Sequence, residues 1–132
     1  MSPVGIHLII DGWQVPPHLL NDTAHVRQAL QRAVAAGGAT LLELTVHQFQ
    51  PQGLTATATL AESHMTIHTW PEWGYFAADV FFCGRGDAHA AGHALLMELQ
   101  AKEYRIQELA RGPGELKQSA QPEGRFNPGA RV

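Results

Sequence analysis

The sequence predicts an α+β fold: a two-layer sandwich in which a mostly antiparallel sheet carries two helices on one face. Three observations support this prediction. Alternation of apolar and polar residues, which is typical of strands, recurs in several short segments. Two longer segments have helical spacing instead, and the order reads strand, helix, strands, helix, strand. In 132 residues, that order fits one domain with its helices packed against a single sheet.

The composition excludes several classes of function. Hydrophobic residues make up 45% of the chain and charged residues 16%, which is typical of a globular protein. A net charge of -3 gives no electrostatic basis for binding nucleic acid or an anionic membrane. Cys83 is the only cysteine, so an intramolecular disulfide cannot form. No segment resembles a signal peptide or a membrane span, and we therefore expect a soluble, cytoplasmic protein.

The first strand and the first helix are predicted within residues 5–38. Apolar side chains alternate with others from Ile6 to Ile10, and Gly12 ends the predicted strand. Pro17 suits the first turn of a helix, and glycines at 37 and 38 suit its end. One amphipathic helix is expected between them, with these residues at helical spacing on its buried face: Leu19, Thr23, Val26, Leu30 and Ala33.

Three strands are predicted in the middle of the chain, at 39–49, 54–62 and 63–70. In the first, Leu42, Leu44 and Val46 should share the buried face. In the third, Met65 and Ile67 should point away from the side with His64, Thr66 and His68. A turn at 71–74 leads to a fourth strand at 75–84. Its alternation predicts one face with Phe76, Ala78, Val80 and Phe82, and another with Tyr75, Asp79, Phe81 and Cys83.

A second helix at 87–102 and a last strand at 103–112 complete the predicted domain, residues 1–112. Residues 113–132 are rich in proline and glycine, and we predict a mobile tail. Two helices can cover only one face of the sheet, yet the other face carries Phe49, Tyr75 and Phe81. A second copy of the chain is the simplest partner for that open face, so we expect a homodimer.

The residues capable of chemistry concentrate in LAESHMTIHTWPEWGY, residues 60–75. His64 and His68 would lie about 13 Å apart on a strand, so they do not form a metal site together, and none is predicted. Cys83 as a lone cysteine is more typical of packing than of nucleophilic catalysis. Ser63 is different, because it lies between two strand segments in a bend without glycine or proline. A strained serine there can direct its hydroxyl at the preceding carbonyl carbon.

The segment AESHMTIHTWPEWGYFAADVFFCG resembles the signature of the short bacterial and archaeal S-adenosylmethionine decarboxylase proenzymes. The resemblance also includes GIHLIID, GGATLL, HQFQPQGLT and ELARG, and it extends over residues 4 to 112. It implies an enzyme that converts S-adenosylmethionine to decarboxylated S-adenosylmethionine and carbon dioxide for spermidine synthesis.

The resemblance further implies self-cleavage between Glu62 and Ser63, giving a 1–62 β chain and a 63–132 α chain. Ser63 would become a pyruvoyl group, which forms a Schiff base with the substrate amine and accepts electrons during decarboxylation. By the same resemblance, His68 is the proton acceptor in processing and Cys83 is the proton donor in catalysis. Thr55 stands where the family commonly has a serine that assists processing.

Substrate binding is implied for Phe49 and Glu72, which would contact adenine and ribose, with Trp70 and His7 as further candidates. Two cleaved chains would pair through their open sheet faces, with no metal, nucleic acid or membrane required. Phe82 stands where the family has threonine, but by the alternation it should face away from Cys83. Two alternatives remain: a pyruvoyl-dependent arginine or ornithine decarboxylase, and a homologue that never cleaves.

Overall fold

The computed structural model describes residues 4–113, and these form a six-stranded sheet with helices on one side. The strands are β1 (Gly5–Trp13), β2 (Leu41–Gln48), β3 (Leu54–Leu60), β4 (Ser63–Trp70), β5 (Tyr75–Cys83) and β6 (Glu103–Arg111). The helices are α1 (Pro17–Leu20), α2 (Thr23–Ala36) and α3 (Ala88–Glu98), and a 3-10 turn spans Pro71–Trp73.

Every neighbouring pair in the sheet is antiparallel, in the order β2-β3-β4-β5-β1-β6. The strands β2 to β5 follow one another along the chain, but β1 is inserted between β5 and β6. The prediction of an α+β sandwich with an antiparallel sheet is therefore confirmed. The insertion of β1 brings the two ends of the domain together, because β1 lies between β5 and the edge strand β6.

Alternation along each strand separates a helix-covered face from an open face. On β4 and β5, Met65, Ile67, Phe76 and Val80 are fully buried in the core between the sheet and the helices. Phe82 is also buried there, at 4% exposure, so it faces away from Cys83 as predicted. The open face carries the other members of these strands, which are half-buried or exposed. Because burial of apolar side chains is the dominant favourable contribution to folding, the helix-covered face is the main source of stability in one chain.

Two details of the sequence prediction were wrong. The region predicted as one helix contains two, because the chain breaks at Asn21 and the Asp22 side chain then caps α2 by accepting from the His25 N–H at 3.1 Å. Thr23 is consequently exposed at the start of α2. Leu42 is 65% exposed rather than buried, because the β2–β3 register shifts between Leu41 and Glu43.

The last strand is confirmed, whereas the mobile tail predicted at 113–132 lies, apart from Pro113, outside the described residues. Within residues 4–113, no helix combines the length and the apolar character that crossing a bilayer requires.

Candidate active site

The Glu62–Ser63 peptide lies at the tip of the β3–β4 hairpin, in a backbone that is strained at Ser63. Leu60 pairs with Ser63, so only Ala61 and Glu62 link the two strands. Two-residue hairpins usually place glycine or asparagine at positions of positive φ. Here Ser63 has φ 130°, a conformation that costs a residue with a Cβ atom about 1–3 kcal/mol. The bend predicted at Ser63 is confirmed as a geometric feature.

The Glu62 carbonyl oxygen accepts two hydrogen bonds from Cys83. The backbone N–H of Cys83 donates to it at 2.8 Å, and the thiol donates at 3.2 Å. The Ser63 hydroxyl lies 3.3 Å from the same sulfur, and it donates to the sulfur because the thiol proton is already used. Two donors on one carbonyl oxygen draw electrons from its carbon and would stabilise negative charge on the oxygen.

The Glu62 side chain holds the other side of the bend. Its carboxylate accepts from the backbone N–H of Thr40 at 2.8 Å, and the Ala61 N–H donates to the Thr40 carbonyl at 3.0 Å. Contacts from the α2–β2 connection and from β5 therefore hold the Glu62–Ser63 peptide on both sides.

A second group of predicted residues lines a pocket at the opposite end of β4. The pocket has a volume of about 330 Å³, and its walls include Phe49, Thr55, His68, Trp70 and Glu72. Thr55 and His68 are directly opposite each other on β3 and β4, and the Thr55 hydroxyl lies 3.0 Å from His68 Nδ1. The pocket thus combines aromatic surfaces with a carboxylate and an imidazole.

These two groups do not meet within one chain. Ser63 and His68 are five residues apart on one strand, which at ~3.3 Å per residue separates them by about 16 Å. Cys83 pairs with Gly5 near one edge of the open face, whereas His68 pairs with Ala77 near the other. A histidine ring cannot bridge that separation.

His7 belongs to neither group. It lies at the centre of the open face, where its Nε2 is 2.6 Å from Asp79 Oδ2, and His64 Nε2 is 2.9 Å from the same oxygen. Burial raises the pKa of the Asp79 carboxyl, but hydrogen bonds from Thr66 and the two imidazoles outweigh burial, so the net pKa is lowered. Strand alternation predicts the correct face for Asp79 but not these partners.

A stack of aromatic rings extends the second group across the open face. Trp70 stacks on Trp73 at 6.4 Å and on Tyr75 at 5.4 Å, and Tyr75 stacks on Trp13 at 6.2 Å. The Tyr75 hydroxyl donates to Asp11 at 2.6 Å. Burial, reinforced by this carboxylate, raises the pKa of Tyr75 to about 12, so the hydroxyl remains a donor at neutral pH.

A larger cavity, of about 420 Å³, lies between β1, β6 and the start of α3. Its walls include Ile6, Phe82, Asp87 and Glu108, and none of the predicted site residues lines it. The residues predicted to form the site are therefore on the open face and at the hairpin tip rather than in this cavity.

Comparisons with known proteins point to one family. A family model described as S-adenosylmethionine decarboxylase matches residues 6–112. S-adenosylmethionine decarboxylase proenzymes from Methanococcus maripaludis and Synechococcus sp. are 45% and 42% identical. The alignments cover 76% and 83% of this chain and 80% and 95% of those proteins, respectively.

A crystal structure of the adenosylmethionine decarboxylase from Aquifex aeolicus matches with a TM-score of 0.80 and 33% identity. The match covers 87% of this chain and 96% of that one. The protein is therefore an enzyme of the decarboxylase class. It belongs to the S-adenosylmethionine decarboxylase family.

Proposed function

We propose that the protein cuts itself between Glu62 and Ser63 and then decarboxylates S-adenosylmethionine as a pyruvoyl-dependent enzyme. The product would be the aminopropyl donor for spermidine synthesis. The observation that carries this proposal is the strained Ser63 beside a carbonyl that accepts both the N–H and the thiol of Cys83. Family membership supports it, because the relatives are named as proenzymes.

Self-cleavage begins with attack of Ser63 Oγ on the Glu62 carbonyl carbon. The serine oxygen bonds to that carbon, the carbon–nitrogen bond breaks, and the serine proton passes to the freed amino group, leaving an ester. Both Cys83 donors stabilise the negative charge that develops on the carbonyl oxygen during this step.

Elimination then removes the α-proton of Ser63 and releases the Glu62 carboxylate, and hydrolysis releases ammonia. We assign the proton acceptor to His68, with Thr55 orienting it through the 3.0 Å contact to Nδ1. The resulting pyruvoyl group supplies an electron sink for decarboxylation. Cys83, already beside Ser63, would then deliver a proton to the product carbon.

A homodimer of cleaved chains is part of this proposal, because His68 lies about 16 Å from Ser63 of its own chain. Twofold pairing of the open faces would place the His68 pocket of one chain against the Ser63 bend of the other. The exposed aromatic residues support a covered face: Phe49 is 47% exposed and Trp73 is 69% exposed. Each complete site would then draw on both chains.

The pocket chemistry favours S-adenosylmethionine over arginine or ornithine. Phe49 and Trp70 offer π faces to an adenine ring and to a sulfonium cation, and Glu72 can accept hydrogen bonds from ribose hydroxyls. Arginine and ornithine have neither an aromatic base nor a ribose. Reaction at a free thiol also suits a reducing cytoplasm, where we propose that the enzyme works.

Intact-mass measurement tests self-cleavage directly. We expect two fragments, 1–62 and 63–132, and expect Ser63→Ala to remain one chain. Release of carbon dioxide from each of the three amino-acid substrates tests specificity. A wild-type protein that remains whole would refute the enzymatic proposal, and release from arginine or ornithine alone would refute the substrate.

Mixing two inactive variants tests whether the site is shared. Ser63→Ala and His68→Ala should each remain uncleaved when expressed alone. When they are coexpressed, random pairing should complete one site in each mixed dimer, so about half of the His68→Ala chains should be cut. No cleavage after coexpression, with mixed dimers verified by tag pull-down, would refute the shared site.

A further inference from the structure

The cluster at the centre of the open face has no role in the steps described above. Asp79 on β5 accepts hydrogen bonds from His7 on β1 and from His64 and Thr66 on β4. One carboxylate therefore links three adjacent central strands. Phe81 packs beside both imidazoles, with ring centroids 5.0 Å from His7 and 5.8 Å from His64.

Arg111 determines which nitrogen of His7 carries the proton. Its Nη1 lies 2.9 Å from His7 Nδ1, and a guanidinium group can only donate. His7 Nδ1 is consequently the acceptor, so the ring proton is on Nε2 and is donated to Asp79. Arg111 also packs over the Phe81 ring at 5.5 Å, which holds the guanidinium group in place.

We call this arrangement, in which Asp79 accepts from His7, His64 and Thr66, the hydrogen-bond clamp. It is not a metal site. The ligand atoms of His7, His64 and Asp79 all lie within 4.8 Å of one another, which is close enough to suggest a metal ion. A metal would need the lone pair of His7 Nε2, but Arg111 already uses the lone pair of Nδ1. An imidazole with one proton cannot offer both.

We infer that Asp79 is a positioning residue for self-cleavage, which it promotes by fixing the start of β4 and with it the strained backbone of Ser63. This inference rests on the proposed function. A backbone with positive φ persists only where its surroundings hold it. Asp79 accepts hydrogen bonds from His64, the residue after Ser63, and from Thr66. A small misplacement of the attacking oxygen would slow cleavage strongly, because reacting atoms must be aligned.

Two substitutions of Asp79 separate the effect of the clamp's geometry from the effect of its charge. In Asp79→Asn, the amide oxygen can accept from both imidazoles while the NH₂ group donates to the Thr66 hydroxyl. The opposite amide orientation is unfavourable, because its NH₂ group would meet the fixed Nε2–H of His7. Asparagine should therefore preserve the clamp, whereas Asp79→Ala removes it.

Val26→Ala is a matched control for lost stability. Val26 is fully buried in α2, beneath the opposite face of the sheet, so its truncation weakens the core without touching the clamp or the hairpin tip.

The experiment follows self-cleavage of freshly translated full-length chains over time by gel and intact mass. We expect Asp79→Ala to cleave at least about tenfold more slowly than wild type, and Asp79→Asn to stay within about threefold. Val26→Ala, with a comparable loss of thermal stability, should cleave at nearly the wild-type rate.

Three results would overturn the clamp while leaving the proposed function intact. In the first, Asp79→Ala cleaves at the wild-type rate. In the second, Asp79→Asn slows cleavage as much as Asp79→Ala does. In the third, Val26→Ala slows cleavage as much as Asp79→Ala does. A wild-type chain that never cleaves would instead overturn the proposed function, and the clamp with it.

Discussion

Replacing Ser63 by glycine should stabilise the uncleaved precursor relative to replacing it by alanine. Both variants lack the hydroxyl, so neither can cut itself and both lose the same contact with Cys83. They differ in the backbone: at φ 130°, alanine bears a strain of about 1–3 kcal/mol that glycine largely avoids. Glycine ordinarily costs about 0.5–1 kcal/mol relative to alanine, because it loses more conformational freedom on folding.

The difference leaves Ser63→Gly more stable than Ser63→Ala by about 1 kcal/mol, which corresponds to a rise in Tm of about 4 °C for a chain of this length. Denaturant unfolding at equal protein concentration measures it, since an oligomer's stability depends on concentration.

Ala61→Gly in the Ser63→Ala background is the control. Ala61 lies in the same hairpin loop but does not have a positive φ, so glycine there should lower stability. If Ser63→Gly also proved less stable than Ser63→Ala, by the usual penalty for glycine, the strain assigned to the bend would be refuted.

Three further predictions concern acid stability, the core and the thiol. The lowered pKa of Asp79 adds stability above its unfolded value of about 3.9, and that stability is lost as the pH falls through the lower folded value. Asp79→Asn should therefore show a shallower loss of stability between pH 5 and pH 2 in urea unfolding, and parallel curves would contradict this. Phe76→Ala removes a fully buried ring and should lower the free energy of unfolding, measured in urea, by about 3–5 kcal/mol. A decrease of less than about 1 kcal/mol would contradict the packing described. Cys83→Ala retains the hydrogen bond from the backbone N–H to the Glu62 carbonyl, so the two fragments should still form, although more slowly. The rate of carbon dioxide release should fall much further. Normal turnover would refute the assignment of Cys83 as the proton donor.

Local sequence patterns predicted the faces of the central strands correctly. Alternation placed Met65 and Ile67 opposite His64 and His68, and it placed Phe82 away from Cys83. The break before α2 is also encoded, because Asp22 is a favourable N-cap, but apolar residues at helical spacing continue across the break and conceal it. The exposure of Leu42 was not predictable, since the irregularity in β2 depends on pairing with β3.

Which residues meet in the site depends on how distant strands pair and on the register of that pairing. Local sequence patterns do not reveal either. His7 and Asp79 are 72 residues apart and meet only because β1 is inserted beside β5. Arg111 reaches His7 across the neighbouring pairing of β1 with β6. The separation of Ser63 from His68, in contrast, can be predicted from the sequence, because five residues of a strand span about 16 Å.

The strand order has a consequence for a chain cut after Glu62. The first fragment would supply β2 and β3 at one side of the sheet and also β1, which is held between β5 and β6 of the second fragment. The two pieces are interleaved, so neither can leave without breaking ladders at the middle of the sheet. Once unfolded, however, they would have to find each other again by diffusion. Refolding of the mature enzyme should therefore be bimolecular and slow on dilution, whereas the precursor keeps both parts on one tether.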